Sequence, residues 1–119
     1  MIMNVLFIVL NDLAYLDEIL EEFVELKVRG ATIMESQGMA SAILHSEGLN
    51  FLMQGLFKGG TADEQKYSKT IFTVIPDEAQ LEKTVKAVQK IVERSKKQTI
   101  GFMFTVPVSG IYPLSKVKK

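Results

Sequence analysis

At 119 residues the chain fits one domain spanning 1–119, and it is long enough to bury a core without disulfides or a structural metal. Hydrophobic residues make up 47% and charged residues 24%, which excludes wholesale disorder. Fourteen basic residues balance fourteen acidic ones, there is no cysteine, and His45 is the one histidine; nucleic-acid and membrane partners are not expected, and disulfides, thiolate metal sites and cysteine nucleophiles are excluded.

In chain order, Ile2–Leu10 is a nearly continuous run of aliphatic and aromatic residues, the pattern of a strand in the middle of a sheet. No basic region precedes it and Asn11-Asp12 ends it early, so neither a signal peptide nor a membrane span is expected, and the location expected is cytoplasmic. Asn11 or Asp12 can cap a helix by accepting bonds from its first N–H groups. Leu13, Leu16, Ile19, Leu20, Phe23, Val24 and Val28 then recur at steps of three and four, opposite Asp17, Glu18, Glu21, Glu22 and Glu25. That spacing predicts an amphipathic helix with one buried stripe and a solvated acidic face. Gly30 stands where a helix C-cap is expected.

Ala31–Glu35 reads as a second strand. The connection that follows, 36–66, is far longer than a hairpin turn and carries Gly38, Gly48, Gly55, Gly59 and Gly60 beside apolar Leu49, Phe51, Leu52, Met53, Leu56 and Phe57. A long connection with that apolar content points to a functional or interface role. Tyr67–Ile75 is a third strand, Pro76-Asp77 a turn, and Leu81, Val85, Val88, Ile91 and Val92 the stripe of a second helix ending near Arg94. Ile100–Val108 is the last strand. The order β-α-β-β-α-β predicts an α+β ferredoxin-like sandwich, with two helices on one face of a four-stranded antiparallel sheet. The other face is left to be covered by self-association.

Catalytic chemistry finds little support. His45 lies near Ser41, Ser46 and Glu47, but a serine–histidine pair needs a rigid scaffold and a third orienting group, which a glycine-punctuated connection does not supply. No GxSxG elbow, P-loop or GxGxxG occurs, so an enzyme is not expected. Glu78, Glu82 and Lys86 fit surface i,i+4 pairing. Arg94, Lys96 and Lys97 can complement the end of the second helix or meet an anion at the turn behind it, and Lys116, Lys118 and Lys119 form a short solvated tail.

With these elements in place, the segment Val28-Arg29-Gly30-Ala31-Thr32, the long central connection and the ending Gly101-Phe102-Met103-Phe104-Thr105-Val106-Pro107-Val108 resemble the PII nitrogen regulatory proteins. The likeness runs over nearly the whole chain and extends to the wider PII-like superfamily, which includes the CutA proteins. It implies a homotrimer with the sheets packed around its axis, and a central loop, 36–66, that grips a target protein. It also implies a small-molecule effector, ATP or ADP in the family, held between subunits. On that resemblance Gly30, Ala31 and Thr32 match the segment beside the adenine, Gly38 the glycine opening the loop, and Lys97 and Gly101 the fitting positions of the phosphate loop, here 95–101. The stretch departs from the family pattern elsewhere: Ile100 replaces an aspartate, Phe102 stands where a lysine is expected, Ala42 falls at the position of the family's loop glutamine, and the arginines after the last strand are missing. The effector is therefore left open, and the alternative is a CutA-like trimer, structural or metal-responsive, without nucleotide binding.

Overall fold

The computed structural model describes residues 3–39, 68–95 and 100–115; the expectations placed on most of the segment 36–66, on Tyr67, on Lys96 and Lys97 and on the tail lysines lie outside the described residues. The elements are β1 (Met3–Leu10), α1 (Leu16–Glu25), β2 (Thr32–Ser36), β3 (Ser68–Ile75), α2 (Glu78–Val92) and β4 (Gly101–Val108). All strand pairs are antiparallel, in the order β2-β3-β1-β4, and both helices lie on one face. The α+β ferredoxin-like sandwich expected from the element order is the fold found.

Strand alternation decides what the helices cover. Leu6, Ile8 and Leu10 of β1 and Ile71 and Ile75 of β3 point toward the helices and meet Ile19 and Phe23 of α1 and Val88 of α2. Each such side chain contributes about 1.5–3 kcal/mol on burial, more than any single cap in the molecule, so the two central strands anchor the core. Thr84 is also fully buried on α2, where its hydroxyl donates to the Gln80 carbonyl at 2.7 Å. Pro107 falls on β4, an edge strand, where a missing N–H leaves no ladder bond unmade on the solvent side.

The first helix differs from expectation at both ends. Asp12 does cap, its Oδ1 accepting from the Ala14 N–H at 3.1 Å, but the turn it starts is a 3-10 turn over Leu13–Tyr15 that precedes α1. A tighter turn advances each residue further round the axis, so Leu13 falls out of phase with the stripe of α1 and is 36% exposed. Val24, expected on the buried stripe, is 76% exposed. At the other end Lys27, not Gly30, is the left-handed residue that closes the helix, with φ 61°. The Lys27 N–H donates to Val24 O at 3.1 Å and the Val28 N–H to Phe23 O at 2.9 Å, which is the Schellman pattern. From α2, Gln80 donates its amide to the Leu26 and Lys27 carbonyls at 3.0 and 3.3 Å and so satisfies the helix end. Gly30 has φ 65° three residues later, at the bend into β2, where its carbonyl accepts from the buried Thr73 hydroxyl at 2.7 Å.

A left-handed non-glycine residue costs about 1–2 kcal/mol. Lys27→Gly is accordingly expected to raise stability by about 0.5–1 kcal/mol, allowing for the extra freedom glycine has when unfolded. A rise in the urea midpoint at unchanged slope is the observable.

Candidate functional site: an open sheet face and its two edges

The face of the sheet turned away from the helices carries Val5, Phe7 and Val9 of β1, Phe72 and Val74 of β3, and Phe102, Phe104 and Val106 of β4. In register, Phe72, Phe7 and Phe104 stand side by side across three strands. Phe7 stacks on Phe104 with centroids 4.8 Å apart and planes 6° apart, tilts against Phe72 at 5.8 Å, and Phe102 continues the row at 6.0 Å from Phe104. Such aromatic cross-strand pairs add about 0.5–1.5 kcal/mol each beyond area burial. Within one chain the face stays open: Phe102 is 59% exposed, Phe104 43% and Val106 42%. Water-facing aromatic area of that extent marks an association surface.

At the β2 corner of the same face the apolar pattern gives way to hydroxyls. Ser36 and Ser68 face each other in register and their Oγ atoms lie 2.7 Å apart. The Thr70 hydroxyl donates to Ser36 Oγ at 3.0 Å, and Ser68 Oγ donates to the Ser36 carbonyl at 3.1 Å. Ser68 and Thr70 are buried, so these bonds are what makes their burial tolerable. The cluster joins the last residue of β2 to the first of β3, the two ends of the central connection. No feature of spacing distinguishes these three residues from ordinary surface hydroxyls, and sequence reasoning missed them.

The positions singled out in the sequence fall on opposite edges of the sheet. Gly30, Ala31 and Thr32 are exposed at the entrance to the edge strand β2, and Gly38 is exposed just past its end. Gly101 is the first residue of β4, the other edge, paired with Leu10. Three strand spacings separate the edges, about 14 Å at about 4.8 Å each. Within one chain, therefore, the structure does not bring Gly30–Thr32 together with Gly101. Lys97 lies outside the described residues.

The departures from the family pattern are also placed. Ile100 packs against the core, and its carbonyl accepts from both the Asn11 and Asp12 N–H groups at 2.8 and 3.1 Å. Phe102 belongs to the aromatic row, so an apolar ring stands where the family pattern has a cation. Arg94 lies over the Tyr15 ring, 5.9 Å from its centre, and is paired with Glu18, which ties the end of α2 to α1 rather than leaving it free beside β4. Among the described residues, no group of three or more histidines, cysteines, aspartates and glutamates is placed to hold a metal ion, and no helix is long and apolar enough to cross a membrane.

Comparison with known proteins agrees with this architecture. The sequence model of a family described as Nitrogen regulatory protein P-II matches residues 3–118. Among solved structures, the chain is similar to Arabidopsis thaliana PII bound to citrate, with a TM-score of 0.61 and 14% identity over 91% of this chain and 78% of that one. No curated protein matches.

Proposed function

The chain belongs to the family of nitrogen regulatory protein P-II and is a PII-like regulatory protein, and from that premise we propose how it signals. Residues 1–119 act as one domain that assembles into a cytoplasmic homotrimer, with the open sheet faces turned toward the axis. A small effector occupies the clefts between subunits, and the central connection 36–66 presents the outcome to a target protein. The protein is not an enzyme.

The observation that carries this reading is the placement of the two candidate binding segments on opposite edges of one sheet. In a closed ring each chain joins one patch to a different patch of the next copy, and opposite edges of one sheet can serve as the two. The β4 edge with Gly101 then meets the neighbour's β2 edge with Gly30, Ala31 and Thr32, and Gly38 stands at the root of the central connection. A cleft of this kind exists only in the assembly, so effector binding and assembly are linked. The aromatic row supplies apolar area to hold the ring together.

The effector on this reading is an anionic small molecule, with an adenine nucleotide the first candidate and Lys97 its cation. Phe102 favours a second reading, the CutA-like trimer that ignores nucleotides, because the phosphates lose a counter-charge at that position. Light scattering combined with thermal unfolding in the presence of ATP, ADP, 2-oxoglutarate or divalent metals separates the two. A ligand at a hundred times its dissociation constant adds about 2.7 kcal/mol. A trimer stabilised by an adenine nucleotide is the expected result. A trimer stabilised by none of the anions would transfer the protein to the second reading, and a monomer would end both.

A further inference from the structure

The core has a gap at one end. Between α2 and the adjoining ends of β1 and β4 lies a cavity of about 310 Å³, walled by Leu10, Ile19, Val88, Val92, Ile100 and Met103. Protein interiors are packed about as densely as organic crystals, and an apolar void of about 150 Å³ is already enough to admit a benzene molecule. The present cavity has about twice that volume and is partly open to solvent. Among the described residues that line it none is charged, and Gln89 contributes a side-chain amide.

We propose that this cavity is a binding site for an uncharged small apolar molecule, of the size of a one- or two-ring aromatic, carrying at most one hydrogen-bonding group for Gln89. Three features select that class. A charged ligand would lose hydration against aliphatic walls, and none of the described lining residues offers it a counter-charge. The lining is predominantly apolar, so an apolar body that displaces water from it gives up few hydrogen bonds. A flat or compact apolar body, by contrast, gains contact with Ile19 and Val88, which the core already holds in fixed positions. The site lies between α2 and the sheet within one chain, and it adjoins the proposed inter-subunit cleft through Gly101. Its walls include Ile100 and Gly101, the residues that open β4.

The methionines provide the test. Met103 lines the cavity, whereas Met34 is 45% exposed on the opposite face of the sheet. With the full-length protein labelled at its methionine methyl groups, indole and toluene are titrated and the methyl spectrum followed, with benzoate as the charged control. Saturable movement of the Met103 signal with indole or toluene, little with benzoate, and no movement of Met34 is expected. Val88→Phe, which fills the cavity, should weaken binding about tenfold or more. Should that variant fail to unfold cooperatively, Val92→Met narrows the cavity from a half-buried position and serves in its place. Movement of Met34 without Met103 would overturn the proposal, since the probe would be on the open sheet face. So would silence at Met103 with every probe, or binding that the filled variants leave unchanged.

Discussion

Gly101→Ala is expected to abolish the native fold or to cost at least about 4 kcal/mol, at the far end of the range for single substitutions. A Cβ at this position would stand 2.1 Å from the Val9 carbonyl oxygen and 3.1 Å from Leu10 Cα. Both atoms belong to the backbone of the neighbouring strand, so relief requires prying β4 from β1 rather than rotating a side chain. Gly110→Ala is the control. Its Cβ would meet only the ring of Tyr112, which is 85% exposed and free to swing, and a change within about 0.5 kcal/mol is expected. Urea unfolding of the two variants side by side tests the pair; a Gly101→Ala protein as stable as the parent would contradict the strand register. The family resemblance assigns Gly101 a place in a phosphate loop, but the close approach of β1 requires glycine there whether or not a phosphate ever arrives.

Phe104→Glu is expected to convert the proposed trimer into monomers at micromolar concentration while leaving the chain folded. Phe104 is 43% exposed in the single chain, so a carboxylate there can stay hydrated in the monomer. Around a closed axis the same carboxylate would be desolvated beside its own symmetry copies, a penalty of several kcal/mol per ion. Val24→Glu, on a residue 76% exposed in the helix layer, is expected to leave the mass unchanged. Light scattering reads both variants, and a trimeric Phe104→Glu protein would refute the placement of the sheet face at the axis.

The fold was legible because its signals are local and strong. The run Ile2–Leu10 looked like a buried central strand because both of its faces are apolar, one for the helices and one for the open face. The helical stripes at steps of three and four named Ile19, Phe23 and Val88 correctly. What failed was finer. The 3-10 turn put Leu13 out of phase with the stripe, Val24 lies at the edge of that stripe beyond the reach of the sheet, and nothing in a lysine announces the left-handed conformation that Lys27 adopts, whereas Gly30 nearby announces it loudly. Thr84 was overlooked because its hydroxyl is satisfied within its own helix, which makes a polar residue serve as core. The candidate site was only partly legible for a different reason. The family resemblance singles out Gly30, Ala31, Thr32 and Gly101, but the distance between sheet edges is a property of strand order, and the cavity beside Met103 is assembled from four elements with no shared motif.

The hydroxyl clasp at Ser36, Ser68 and Thr70 has a bearing on how such a protein can change over time. Because it fastens the two ends of the connection to each other, the sheet is complete on its own account, whatever chain runs between them. The entropy of closing a connection rises only with the logarithm of its length, about 0.6 kcal/mol for each doubling. Substituted or lengthened versions of residues 37–67 therefore burden the scaffold very little, and selection can try new segments there while the other elements keep their sequence. The corner functions as a socket, and the lineage can exchange what is plugged into it without rebuilding the domain.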